Sequence, residues 1–504
     1  MSPTWLFGFV AAYFALLLGV AWRTSRHVSE AGFFTGARAS HWAVVAFGMI
    51  GTSLSGVTFI SVPGAVGASG FGYYQIVLGH LIGYAVIALV LLPVYYHLKL
   101  SSIYLYLGLR FGPQAQHTGS LFFIASRTLG ATARLYLVIR ILQDTILAQL
   151  GVPFWLSAAV ILLMIVLYTV QGGVKTIVWT DLLQTGGMLA GLVICAGMLL
   201  SALGLSPLAA LDRLDQGGLS RLWGTDPLAA GHWAKQVVAG AFIAIAMTGM
   251  DQEMMQKNLS VRTLRGAQLN VMVLALLMQA VVLLFLFLGG LLTLFATQVG
   301  LAAQGDALFP AVVMGHLPAA VQVIFILALI SALFPSADGA LTALTSSTCL
   351  DLLGLQRRSH WSERRRRLVR QAVHLGFALL FMALVLVFRW VDDRSMIGLI
   401  LKIAGYTYGP LLGLFGFGLL TRRVLRGGPV VPVVALASPL ACLLIDAHQA
   451  ALFGAYRIGL EMLLLNGGIT FVGLWLGSRP AAGVASSAAD KTPQQAQRMV
   501  GHGH

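Results

Sequence analysis

GMIGTSLSGVTFISVPG, residues Gly48 to Gly64, has the apolar length of a membrane span, yet small and hydroxyl residues stand where such a helix usually carries leucine. Six Gly, Ser or Thr residues fall between Gly48 and Gly56, and each glycine weakens a helix by about 1 kcal/mol. The stretch reads as a broken helix whose unwound turn leaves carbonyl oxygens free at mid-membrane depth. The plainer reading is that small residues here only let neighbouring helices approach closely. AGAFIAIAMTGMDQ, Ala239 to Gln252, carries a milder interruption at Thr248-Gly249. Four helices lie between the two interruptions, which suits two five-helix repeats, each opening on a broken helix.

Composition supplies the membrane. Of 504 residues, 58% are hydrophobic and only 10% charged, and the mean hydropathy is +0.85. One water-soluble core cannot hide so much apolar surface. Apolar runs of about twenty residues give about thirteen spans, with approximate cores 3–22, 41–65, 73–96, 119–147, 154–171, 178–203, 233–254, 267–297, 318–352, 368–390, 395–421, 429–446 and 460–478. The expected fold is an all-α polytopic membrane protein forming one domain over 1–480. Core repeats cover about 41–203 and 233–421, and helices 3–22, 429–446 and 460–478 are peripheral. Pro3 to Trp22 reads as a retained first helix, because no basic segment precedes it and no small-residue cleavage site follows. The interrupted stretch 304–316 reads as an external hairpin or lid. The tail 481–504, rich in Ala, Ser, Gln, Gly and His, is too polar to bury a core and is expected to be disordered.

The net charge of +15 is a statement about topology, since the cations sit in short clusters between apolar runs; nucleic acid is not an expected partner. Arg23, Arg26 and Arg38, then Lys99 and Arg110, Lys175, then Lys257, Arg262 and Arg265, then Arg357 to Arg367, and Arg422 to Arg426 fall in loops of one side. The opposite loops carry few. The positive-inside rule then puts the amino terminus outside and the carboxyl tail in the cytoplasm, in a plasma (cell inner) membrane. Cys195, Cys349 and Cys442 lie in or beside apolar spans without metal-ligand spacing, and read as packing residues.

Four groups of residues carry chemistry. In GGVKTIVWTDLLQ, Gly172 to Gln184, Asp181 enters an apolar run from its edge. A carboxylate there is costly without a cation or water, which makes it a candidate functional group; an acid solvated at a loop end is the alternative. Asp338 lies inside the apolar run Val321 to Leu350. Arg127 and Arg134 stand seven apart, on one face of the fourth span. Their forked donors fit a substrate carboxylate, or else pair with Asp144 or with helix carbonyls. Lys402 is the only lysine in its span, with Asp338 as the expected charge partner, and His80 is a hydrogen-bonded core histidine or a proton relay.

The GGVKTIVWTDLLQ run, the small-residue first core helix and the Ser336-containing ninth span resemble the sodium:solute symporter family over roughly residues 3 to 478. The resemblance implies the five-plus-five inverted-repeat fold shared with the leucine transporter, alternating access, and inward sodium-coupled uptake. It assigns the sodium ligands to Gly51 and Leu54 of the broken helix and to Ala332, Pro335 and Ser336 of the facing one. Many relatives have two adjacent hydroxyl residues where this chain has Pro335-Ser336, so one side-chain ligand is missing. A proline frees a carbonyl one turn back, which offers a substitute oxygen. A second cation in some members lies by an aspartate matching Asp181, and here Asp338 faces it. The resemblance places the solute beside Ser53, Ser55 and Thr58, Gln75 and His80, Met247 and Thr248, with Arg134 to grip a carboxylate. Sugar carriers of the family have an asparagine and a tyrosine where this chain has Ala244 and Met247, which disfavours a neutral hexose.

The expected activity is therefore secondary active, sodium-coupled symport of a small carboxylate-bearing solute. The expected partners are that solute, Na+ and the bilayer. No other cofactor is implied, a monomer suffices for transport, and the oligomeric state is open. The closest rival keeps the fold but couples to protons or to nothing, motivated by Pro335 and Asp338. An intramembrane enzyme with Asp181 or His80 as base is a distant rival, for the chain has no HExxH, paired histidines or nucleophile elbow.

Overall fold

A computed structural model describes residues 3–25, 33–34, 38–358, 360–390 and 396–480. The tail 481–504, expected to be disordered, lies outside the described residues, as does Arg26. Helices α1 (Pro3–Ser25), α2 (Trp42–Ser69), α3 (Tyr74–His97) and α4 (Pro113–Leu147) precede α5 (Phe154–Leu203), which turns at Gly173. A bent pair follows, α6 (Trp233–Gly249) and α7 (Gln252–Leu259), then α8 (Leu264–Val299), α9 (Ala319–Leu352) and α10 (Glu363–Phe388). The second bent pair is α11 (Met396–Thr407) and α12 (Gly409–Leu420), and α13 (Val430–Ala447) and α14 (Met462–Leu476) close the chain.

Each expected span coincides with helix. Phe154–Val170 and Met462–Leu476 are shorter than a perpendicular crossing needs, so length and apolarity by themselves give nine spans among the described residues, or up to eleven with each bent pair counted as one. Helix ends that a loop must meet are stitched by short ladders: β1 (Val424–Leu425) pairs antiparallel with β2 (Ser478–Arg479), a small exception to the all-α expectation. The stretch 304–316 is helical, as a turn at Gly305–Ala307 followed by a helix Leu308–His316, and Gly64 admits no Cβ because the Gly305 carbonyl lies against it.

Burial divides the helices into two kinds. In α2, 78% of the most apolar 18-residue window is buried, against 22% in α1 and α13. Leu436, Leu440 and Leu444 of α13 are exposed four residues apart, a continuous apolar stripe suited to lipid and expensive in water. The core is built where α2, α4, α5, α8 and α9 meet.

The break in α2 falls at Ser55, with φ 51° and ψ 168°. A positive φ on a residue with a Cβ costs on the order of 1 kcal/mol. Packing on both sides imposes it. A Cβ on Gly51 would come within 2.5 Å of Thr185 Oγ1 and 3.3 Å of Pro335 Cγ, so α2 is pressed between α5 and α9 just ahead of the break. The Thr185 hydroxyl accepts from the Gly51 N–H at 3.2 Å, and lies 3.3 Å from the Gly48 carbonyl. The second interruption bends α6 against α7 by 65°. Side chains satisfy the polar backbone freed there: Tyr95 Oη donates to the Gly249 carbonyl at 2.8 Å, and Tyr104 Oη to the Met250 carbonyl at 2.9 Å. Asp251 caps α7 by accepting from the Glu253 and Met254 N–H groups.

Candidate functional site

A cavity opens beside the α2 break, bounded by α3, α4, α6, α7, α8 and α11, with about 730 Å³ of empty space including its mouth. Ser53, Ser55 and Thr58 line it from α2, His80 from α3, Arg134 from α4, and Met247 and Thr248 from α6. Seven of the eight expected solute residues thus meet on one wall system. Gln75 does not join them. Its Oε1 accepts from the Gly224 N–H at 3.2 Å and its Nε2 donates to the Gly72 carbonyl, which makes it an anchor for the loop after α5. Arg127 of α4 also lines it, as do Tyr73, Tyr84, Met254, Met278, Ile397 and Ile400 among others. Apolar residues on α8 and α11 carry no signal in sequence that separates them from lipid-facing ones.

The two arginines on one face of α4 differ in state. Arg127 is buried and forms an ion pair with Glu253, and its Nη1 lies 3.7 Å from Asp251 Oδ2. Arg134, two turns on, lines the cavity and forms no ion pair among the described residues. Asp144, a suggested partner for either, instead lies 3.8 Å from Arg140.

Two of the ion-binding candidates, Gly51 and Pro335, meet where α2 faces α9. Gly51 packs against Pro335, and a Cβ on Gly56 would lie 3.6 Å from the Leu333 backbone, so the residues around the break run along α9 at close range. Leu54, Ala332 and Ser336 are all buried. The Ser336 hydroxyl donates to the Leu333 carbonyl at 2.9 Å, leaving its lone pairs free for a cation. Pro335 removes the N–H that would bond the Ser331 carbonyl, so that oxygen is released one turn earlier.

One turn further along lies a polar cluster. Asp181 is buried, and Lys257 Nζ stands 2.6 Å from its Oδ2 and 2.6 Å from Thr52 Oγ1. Thr52 in turn donates to Asp181 Oδ2 at 3.3 Å. Asp338 accepts from Tyr168 Oη at 2.9 Å and from the Gly339 N–H at 2.5 Å. The sequence reading placed Lys257 among the loop cations, and the structure corrects this: the lysine is buried on α7 among acids. Its signal lay in DQEMMQKN, Asp251 to Asn258, where Glu253 and Lys257 stand four apart directly after the helix break. Lys402 is likewise corrected as a partner of Asp338. It is largely exposed and pairs with Asp446 of α13 at 3.0 Å, because its face of α11 turns toward α13 and away from α9.

Fold and site together show a polytopic helical protein with a cavity beside a broken helix. The family model for the sodium:solute symporter family matches residues 33–434. The chain belongs to that family. It is 26% identical over 423 residues to the sodium-dependent multivitamin transporter of Oryctolagus cuniculus, covering 78% of this chain and 62% of that one. It is 28% identical over 268 residues to the human sodium/iodide cotransporter, covering 52% and 40%. The sodium/sialic acid symporter of Proteus mirabilis is 23% identical over 451 residues, covering 85% and 86%. The chain thus spans less than two thirds of the first two relatives. A solved Na+-coupled sialic acid symporter, in a substrate-bound outward-open state, superposes with a TM-score of 0.80 at 19% identity, covering 94% of this chain and 99% of that one. A nucleobase-cation-symport-1 family transporter superposes at 0.56 and 13% identity, covering 93% and 94%. The fold is the five-plus-five inverted-repeat transporter fold.

Proposed function

We propose that this chain imports a small carboxylate-bearing solute together with Na+ by alternating access, from a plasma (cell inner) membrane in which its amino terminus is outside. Arg134 is the observation that carries the solute class: it lines a cavity of hydroxyl and apolar groups, His80 and the ion-paired Arg127, and has itself no ion pair among the described residues. A carboxylate supplies the missing charge and matches the guanidinium fork. Arg127 cannot serve, since Glu253 and Asp251 already neutralise it.

The sodium reading rests on Gly51, Leu54, Ala332, Pro335 and Ser336, and the packing of Gly51 against Pro335 supports it. A hard monovalent cation accepts such oxygens whatever their origin. The family relatives that couple to sodium support the same ion. The test is uptake of a panel of labelled carboxylates, sugars and amino acids into proteoliposomes under imposed gradients. Flux of a carboxylate driven by inward sodium, and not by potassium, is expected; equal flux with potassium outside removes the sodium claim.

A further inference from the structure

Lys257 occupies the space between Asp181 and the stretch Asp338-Gly339. Its ammonium lies between Asp181 and the Asp338-Gly339 turn of α9: it is 2.6 Å from Asp181 Oδ2, and a Cβ built on Gly339 would come within 3.1 Å of Nζ. Thr52 accepts from this ammonium and donates to the same carboxylate oxygen, closing a triangle across α2, α5 and α7. Glu253 Oε1 is 3.9 Å away. All four side chains are buried.

Charge explains why a cation is needed. Asp181, Asp251, Glu253 and Asp338 bring four carboxyl groups into one buried cluster, against the two cations Arg127 and Lys257. Buried carboxylates of like charge cannot persist together without compensation. Arg127 serves Glu253 and Asp251. Lys257 is the only cation paired with Asp181 among the described residues. Moreover, Asp181 Oδ1 and Glu253 Oε1 are buried without a hydrogen-bond partner, and Oε1 lies 3.9 Å from the ammonium, so two acceptor oxygens of the cluster are left for a further cation.

We propose that Lys257 is a tethered cation that fills the second ion position, so that this carrier takes a single sodium, and that removing the lysine charge opens a sodium site made by both Asp181 oxygens, Thr52 Oγ1 and Glu253 Oε1. The single-sodium clause rests on the ion reading above. The tethered-cation clause stands on the Lys257 geometry alone. A lysine cannot leave with the solute, so the position is occupied throughout the cycle and contributes no ion gradient energy. Its compact ammonium has three donors and suits a cage of oxygens that sodium could also enter.

The experiment is saturation binding of radioactive sodium to the purified full chain in nanodiscs, with the melting temperature followed as sodium is raised. Wild type is expected to bind one sodium, Lys257→Arg also one, and Lys257→Met two, with sodium raising the melting temperature of Lys257→Met more than that of wild type. Two sodium ions on wild type, or the same number on Lys257→Met as on wild type, overturns the inference. So does a Lys257→Met that stays unfolded at saturating sodium while Lys257→Met with Asp181→Asn folds, because sodium then fails to replace the ammonium. If wild type binds none and Lys257→Met binds one, the tethered cation stands and the sodium site between α2 and α9 falls.

Discussion

Tyr408 Oη donates to Asp251 Oδ2 at 2.5 Å, and this bond joins the hinges of both bent spans: Tyr408 sits between α11 and α12, Asp251 between α6 and α7. The same carboxylate caps α7 through its other oxygen. Movement of either bent span therefore acts on the other through one side chain. Tyr408→Phe keeps the ring packing and removes the bond, which between membrane helices is worth about 1 kcal/mol. A melting temperature lowered by a few degrees is expected, together with an altered turnover rate at unchanged sodium dependence, as measured by thermal shift and proteoliposome flux. Unchanged turnover with lowered stability would reduce the bond to a structural tie.

Arg134 should act on affinity for the solute. Loss of a charge-assisted fork costs about 2–3 kcal/mol, or a 30- to 150-fold rise in KM for a carboxylate. Arg134→Gln is expected to show that rise, while an amide analogue of the same solute is transported equally by wild type and variant. Equal KM values for the acid in both proteins would remove the carboxylate contact.

Arg127 is expected to fail differently. Arg127→Met leaves Glu253 and Asp251 buried without their cation, and breaking a buried pair from one side costs about 3–5 kcal/mol. The variant should melt well below wild type, and adding Glu253→Gln should restore part of the loss. Additive destabilisation in the double variant contradicts the pairing.

Ser336 should report on the ion. Ser336→Ala removes one buried hydroxyl oxygen of the proposed ion site, whereas Ser336→Thr retains it. The sodium concentration for half-maximal transport is expected to rise several-fold in the first and to change little in the second, since one ligand is worth on the order of 1 kcal/mol. A sodium titration of initial uptake rates distinguishes them.

Much of the machinery was legible from local pattern. A run of about twenty apolar residues has few alternatives to a helix in lipid, and a density of Gly, Ser and Thr like that of Gly48 to Gly56 weakens a helix wherever it occurs, so the spans and the break near Ser55 follow from the chain itself. The seven-residue spacing of Arg127 and Arg134 likewise fixed a shared face. What the chain could not disclose was partnership. Lys257 and Lys402 are each a lysine beside apolar sequence, yet Lys257 is sealed among Asp181, Thr52 and Glu253 while Lys402 reaches outward to Asp446. The two arginines look alike in sequence, and only the bend at Met250-Asp251 brings Glu253 to Arg127 and leaves Arg134 free of an ion pair among the described residues. The energy of a buried charge depends on its neighbours within a few ångströms, and those neighbours come from helices far apart in sequence. The sequence determined which segments are apolar helix and where one unwinds; the packing of α2, α4, α5, α7 and α9 decided which charges are neutralised and which are left without an ion pair among the described residues.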